Sequence, residues 1–514
     1  MKTYVGKLVL TAVIVLAAVS CNDMLDIDQH GVQSTDTYYS TDKEIEAASA
    51  NIYIKMRSCD GSSALMKPLL GGDFWAGGGM HGENSLAEVA EYTFDGEETN
   101  VRGYWRALFN LVYATNIAIE RVDPALSQVA KRTVAEALVL RSWAYFELTT
   151  MYGNPPLVDH PLQPDEYQQA NGTQEELWGL VLNGYKDALA LNALPEKSSS
   201  HDKSVWRVTK QYAQALYGKA LIWQNQYAEA AQLLDEVISS KKYELFDGEF
   251  GDKNMNINKL NCEVLFESIF PHDPANAVSS FTGYQLGLRT DRHNPVGISQ
   301  WGLEMGFGFC QPTKDLYDAF REHDNDGYRL HQTMKNYDEM LEMNLGLLDG
   351  QSEMGEGVYM WKDRYTTDKT PRQWTSSRDV VWMRLAEVYL LAAEAHLATG
   401  NTQKATDYVN VIRRKARIPD LTSVTLFDIK AEKRFELCRE GQLYQDLQRW
   451  GDAEAKLKNK GIQVPVFHSD GTITQFDCGN QPDKCGYKKG KHEYLPIPTE
   501  ETRVNPNIIQ NPGY

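Results

Sequence analysis

Gly77-Gly78-Gly79-Met80-His81-Gly82 fits the GxGxxG spacing of a dinucleotide-binding turn. That chemistry also needs a preceding strand, a helix opening on the glycines and an acid ~20 residues later; the flanking residues supply none of these. The same glycines follow Asp73-Phe74-Trp75 and would leave the indole of Trp75 open. An open indole stacks on the C–H face of a sugar ring while Asp, Asn and Arg side chains take the hydroxyls. Trp75 has a second reading, as a core residue. Glu322, Asp324 and Asp326 ahead of Gly327 partly imitate a calcium loop. Thr333 stands where a bidentate glutamate is required, so an EF-hand is excluded and a polar turn expected. Glu432, Glu436 and Glu440 fall at i, i+4 and i+8 with Arg434, Arg439 and Arg449 nearby, the pattern of an ion-paired helix face. HExxH, GxSxG and P-loop motifs are absent, and no histidine stands near a serine or cysteine as a base for a nucleophile. The expectation is a protein without cofactor, metal or catalytic activity. Glycosidase carboxylates lie far apart in sequence, so a hydrolase stays as a remote alternative.

The elements that must position such residues are mostly helices. The 514 residues, 42% hydrophobic and 24% charged, are those of a folded body, with room by length for about three domains at ~150 residues each. Acids outnumber bases by 70 to 52, a surface that repels phosphate backbones and argues against nucleic acid as a partner. Helical spacing predicts Tyr104 to Val122, Val129 to Met151, Gln174 to Leu191 and Leu426 to Trp450. Two segments read as tetratricopeptide-type hairpins: Ala213 to Ile238, turning at Asn225, and Leu385 to Ile412, turning at Gly400. Residues 60–100, 241–378 and 452–495 read as loop-rich insertions, with no alternation long enough for a large sheet. The fold class expected is mainly α, a helical-hairpin scaffold over about 30–240 and 379–451 carrying a less regular lobe. Residues 1–20 are set apart by Lys2 and Lys7 ahead of an uncharged, mostly apolar run, Leu8 to Ser20. The run is shorter than the ~20 residues a spanning helix needs and reads as a signal peptide. Ala17-Ala18-Val19-Ser20-Cys21 resembles a bacterial lipobox, with Ala18 in place of the usual leucine, so Cys21 is the expected lipidation site. Cys478 and Cys485 flank a Gly/Asn/Pro/Asp loop and are expected to pair, which an exported protein permits. Cys59, Cys262, Cys310 and Cys438 are too dispersed to pair from sequence.

Several blocks in fixed order carry a wider resemblance: Leu25-Asp26-Ile27 after the cysteine, Ala135 to Leu148 ending in Met151-Tyr152-Gly153, and Arg384 to Ala395. They continue with Glu432 to Leu437, Glu440-Gly441, Arg449-Trp450-Gly451, Leu495-Pro496-Ile497-Pro498 and the tail Asn505 to Tyr514. Together they resemble the SusD/RagB outer-membrane lipoproteins of Bacteroidetes across nearly the whole chain. Leu443 departs from the pattern, which usually has arginine after Glu-Gly. The resemblance implies one SusD-like domain over 21–514, anchored by lipid at the cell surface. It also implies a glycan ligand and a SusC-like TonB-dependent transporter as partner; the alternative is a RagB-like peptide binder. Ligand sites in the family sit on the loop-rich side. Two loops there join aromatics to hydroxyl-binding groups: Asp73, Trp75, His81 and Asn84 in one, and Tyr284, Arg289, Asp291, Arg292 and Trp301 in the other.

Overall fold

A computed structural model describes residues 39–79, 85–270, 280–362, 364, 366, 376–478 and 484–514. Cys21, His81 and Asn84 lie outside the described residues. The helical part begins with α1 (Asp42–Ser58), which Thr41 caps while Glu44 returns the bond as a capping box. It continues through α2 (Asp60–Leu70), the short strand β1 (Phe74–Gly77) and α3 (Leu86–Glu91). Five longer helices follow: α4 (Thr99–Arg121), α5 (Gln128–Tyr152), α6 (Gln174–Ala190), α7 (Lys210–Trp223) and α8 (Tyr227–Ser239). After an intervening lobe come α14 (Leu385–Ala398), α15 (Thr402–Lys415), α16 (Leu426–Glu436) and α17 (Leu443–Trp450). Each helix from α4 to α8 packs on the next, and α14 closes the layer by packing on both α8 and α15. The turns explain the hairpins. Asn225 between α7 and α8 takes φ 57°, and Gly400 between α14 and α15 takes φ 84°, the left-handed geometry that reverses a chain in few residues. Gly218 lets α7 and α8 close up, because a Cβ there would meet Leu234 at 2.8 Å.

The lobe from 241 to 378 carries more regular structure than its composition suggests. It holds β2 (Val264–Ser268), α9 (Thr282–Leu286), α10 (Pro295–Trp301), β3 (Phe309–Pro312), α11 (Lys314–His323) and α12 (Tyr328–Thr333). β4 (Met334–Asn336), α13 (Tyr337–Glu342), β5 (Ser352–Met354) and β6 (Val358–Met360) follow. The strands pair antiparallel as β1–β3, β4–β6, β2 with β7 (Val380–Arg384), and β5 with the hairpin β8 (Gln463–His468) and β9 (Ile473–Asp477). These are small ribbons, each too short to show an alternation in sequence. Residues 60–100 likewise hold α2 and α3, where loop was expected.

The helix expected from Leu426 to Trp450 is broken. α16 stops at Glu436, and Arg439 (φ 63°) and Gly441 (φ 78°) turn the chain before α17 starts. Cys438 therefore lies in the turn, buried, and Leu443 packs beside Gly71. The Asn/Pro-rich tail follows a short helix, α19 (Thr499–Val504; the five-residue α18, Ala453–Leu457, precedes β8). It wraps the scaffold as an extended strap. Asn505 and Asn507 donate to the carbonyls of Gln169 and Gln168, and Asn511 donates to Tyr152 and Leu495. Cys478 and Cys485 are disulfide-bonded, and Cys59, Cys262, Cys310 and Cys438 are free thiols, all buried. Among the described residues no helix is long and apolar enough to cross a membrane.

Candidate functional site

The glycines after Trp75 serve a backbone crossing. Gly77 and Gly78 both have positive φ, Gly78 N–H donates to the Gly308 carbonyl at 3.0 Å, and a Cβ on Gly77 would sit 2.2 Å from that oxygen. Only glycine tolerates both demands. The crossing joins β1 to β3, with Trp75 opposite Gln311, and so brings the first loop against the second. Arg289 completes the junction: its guanidinium donates to the Gly78 carbonyl and forks onto Asp291 at 3.2 and 3.0 Å.

This arrangement corrects the reading of Trp75 as an open platform. Trp75 is only 8% exposed. Its indole N–H donates to Glu356 at 2.8 Å, and the Lys460 ammonium lies 3.5 Å from the ring centroid, covering one face. Asp73 is not free for hydroxyls either. It is buried and accepts two bonds from Arg434 (2.6 and 2.9 Å) and one from Lys456 (2.8 Å). Burial alone would raise its pKa, but the two cations overcome it and hold the carboxyl well below the usual range. Arg292 is spent on the Ser352 carbonyl.

The second loop holds the accessible rings. Trp301, at the end of α10, is 41% exposed. Its N–H donates to the Met343 carbonyl at 3.2 Å, and Trp361 packs edge-on at 5.3 Å and 89°, so the indole is held in one orientation. Beneath it a small separate core of Leu303, Met340, Leu345, Tyr359 and Trp361 stiffens the support. Tyr284 is buried, stacked on Phe281 at 5.9 Å and edge-packed by Phe307 at 4.9 Å. Phe281, which the sequence reading passed over, is 45% exposed. The clue available was the aromatic spacing Phe281, Tyr284, Phe307 and Phe309. Backbone bonds from Phe307 to Tyr284 (3.1 Å) and Gly306 to Leu288 (2.8 Å) tie the segment after Trp301 to α9 and the residues that follow it. What the second loop offers chemically is exposed aromatic surface at Trp301 and Phe281, while the carboxylates Asp73, Asp291 and Glu356 are already engaged.

The calcium-like segment is a polar turn built on an ion pair. Arg329 forks onto Asp324 at 2.8 and 3.0 Å, and no cluster of three metal-ligating side chains occurs among the described residues.

Two family models match this chain. The model described as the SusD family covers residues 348–514, and one described as starch-binding, associating with the outer membrane, covers 32–222. A SusD-like protein of Formosa agariphila is 21% identical over 99% of each chain, and one of Bacteroides ovatus is 24% identical over 87% of this chain and 82% of its own. Among solved structures, a laminarin-binding SusD-like protein superposes with TM-score 0.77 at 23% identity, covering 93% of this chain and all of its own. Surface glycan-binding protein A from Bacteroides thetaiotaomicron in complex with laminarihexaose gives 0.74 at 20% identity, over 91% of this chain and 99% of its own. With models matching both its amino-terminal and carboxy-terminal parts, and relatives aligned along almost its whole length, the chain belongs to the SusD/RagB family.

Proposed function

We propose that this protein is a surface lipoprotein that captures a glycan on its loop-rich face and passes it to a SusC-like TonB-dependent outer-membrane transporter. In this reading residues 1–20 are the signal peptide, Cys21 carries the lipid and 21–514 form one binding body. Acyl chains at ~0.8 kcal/mol per buried CH₂ hold it at the membrane surface. The observation that carries the ligand class is Trp301, an exposed indole locked in orientation by Trp361 and the Met343 carbonyl. A preorganised aromatic loses little freedom on binding and suits the C–H face of a sugar ring. The structural relatives that bind laminarin or surface glycans support the same class. Each ring contact contributes about 1 kcal/mol, so affinity is micromolar or weaker, as suits a protein that must release its cargo. Affinity electrophoresis of the lipid-free mature protein through gels containing laminarin, starch, xylan or mannan tests this. Retardation by at least one polysaccharide is expected; unretarded migration in all four, with binding to peptides instead, would overturn it.

A further inference from the structure

Where the lobe runs into β7, three ionisable side chains meet. Lys259 follows a single helical turn, Asn256–Asn258, and its Nζ donates to Asp379 Oδ1 at 2.6 Å. Glu267 stands on β2, the antiparallel partner of β7, and its carboxyl hydrogen-bonds that of Asp379. Glu267 and Asp379 are buried, as are the neighbouring Phe270 and Ser377; Lys259 is half-buried. The hydrogen bonds of the lysine fix its direction. Besides Asp379, Nζ donates to the carbonyls of Phe270 at 2.5 Å and of Ser377. Those two carbonyls hold two of its hydrogens, so the remaining position on the nitrogen points at the Asp379 carboxyl. Passing that third proton along the bond to Oδ1 leaves a neutral amine whose lone pair faces Cγ.

The two oxygens of Asp379 are treated differently. Oδ1 also accepts from the Phe270 N–H at 2.8 Å, whereas Oδ2 has no N–H or hydroxyl donor among the described residues. The group that meets it is the Glu267 carboxyl, and two carboxyls share a hydrogen bond only when one is protonated. Burial first, then the charge of Asp379, raise Glu267 to about 8, so it carries that proton at neutral pH. Burial raises the Asp379 carboxyl as well. A buried ion pair is held against the cost of desolvating both charges. Condensation to a neutral amide removes both at once. The site thus brings together an oriented amine, a carboxyl carbon and a proton carrier.

We infer that Lys259 and Asp379 condense to an intramolecular amide, with Glu267 carrying the protons. The Nζ lone pair attacks Cγ, and Oδ2 takes the Glu267 proton as the Cγ–Oδ2 double bond opens. Glu267 then removes a proton from the nitrogen and delivers it to Oδ2. The Cγ–Oδ2 bond breaks, one water leaves, and Oδ1 returns its proton to Glu267. A C–N bond has replaced a C–O bond with no change of oxidation state, and Glu267 ends as it began. Lys259 and Asp379 are 120 residues apart, so the bond closes a loop holding α9 to α13 and fastens the lobe across its base. Closing so long a loop restrains the unfolded chain as a disulfide does. The bond requires no ligand and is independent of glycan capture. The test is mass spectrometry of the lipid-free mature protein, reduced to open its disulfide. The intact mass should fall one water short of the sequence, and a tryptic digest should contain a branched peptide joining Lys259 to Asp379. Asp–Gly steps such as Asp349-Gly350 also shed water as succinimides, but these leave Lys259 open to trypsin. Lys259→Arg and Asp379→Ala should show the full mass and melt at a lower temperature than the parent. Glu267→Gln, checked for folding by circular dichroism, should gain the bond roughly a hundredfold more slowly. A parent at full mass with Lys259 cleaved overturns the inference, as does a branched peptide that Lys259→Arg retains. Bond formation in Glu267→Gln at the parent's rate overturns the role of Glu267.

Discussion

Lys460 sits over Trp75 with its ammonium 3.5 Å from the ring centroid and no hydrogen-bond acceptor among the described residues. Burial drives its pKa down to about 7 against the partial support of Glu356 and Asp73. An unfolded lysine binds its proton below about 10.4, so between about pH 7 and 10 unfolding takes up a proton and stability rises with pH. Glu267 acts in the opposite sense. Burial first, then the charge of Asp379, raise it to about 8 from an ordinary 4.5. The stability it contributes is complete below 4.5 and is lost as pH rises through about 8. Melting curves across this range should therefore separate the two: Lys460→Met flattens the rise above pH 7, and Glu267→Gln flattens the fall below pH 8. An unchanged slope in either variant contradicts its assignment. The two tryptophans should also divide by role. Trp75→Ala, emptying a buried site, should cost about 3–5 kcal/mol of stability, whereas Trp301→Ala should leave melting nearly unchanged. The aromatic content of both loops was legible in the sequence; which ring faces solvent was not. The difference is set by Lys460 and Glu356, nearly 400 and 300 residues beyond Trp75, and no local pattern announces them.

Secondary structure shows a similar division at the scale of elements. The spacing of Glu432, Glu436 and Glu440 announced an ion-paired helix, but the partners are not the neighbouring arginines. Arg329 reaches Glu432 at 2.5 Å and Glu436 at 3.0 Å, while Arg384 reaches Glu263 and Glu436 at 2.7 Å and Glu440 at 2.8 Å. Arg434 and Arg449 are engaged elsewhere, by Asp73 and by Glu394 and Asp446. The face is therefore buried: Arg329, Arg384, Glu432 and Glu436 are almost wholly enclosed. This network binds α16 to α12 on one side and to β7 and Glu263, just before β2, on the other, seating the lobe on the helical layer. Removing one partner of such a cluster strands the others in low dielectric and costs ~3–5 kcal/mol. Arg384→Met should lose that much in denaturant unfolding, far more than Arg414→Met, whose partner Asp420 is exposed and whose pair contributes little. Equal losses would show that the network is not what joins the two parts. The break between α16 and α17 was foreseeable only in part, since Gly441 marks a turn but the positive φ of Arg439 carries no such signal.

The whole molecule is a helical layer bearing a lobe whose rings and polar groups come from many points along the chain. Its helical class and hairpin turns were readable because Asn225 and Gly400 stand between apolar stretches of helical period. The small ribbons of the lobe were not, since strands of three to six residues leave too little alternation. Attachment belongs to this scale as well. Cys21→Ala should move the protein from the membrane to the soluble fraction of cells lacking the transporter; retention there would contradict lipid anchoring at this cysteine. The central claim, that the Trp301 face captures glycan, is tested most directly by calorimetry on the lipid-free mature protein with the polysaccharide that retards it most strongly. The expected result is micromolar or weaker binding that Trp301→Ala weakens about fivefold while Trp75→Ala, where folded, leaves it intact. A Trp301→Ala protein that melts normally and binds like the parent would contradict the account.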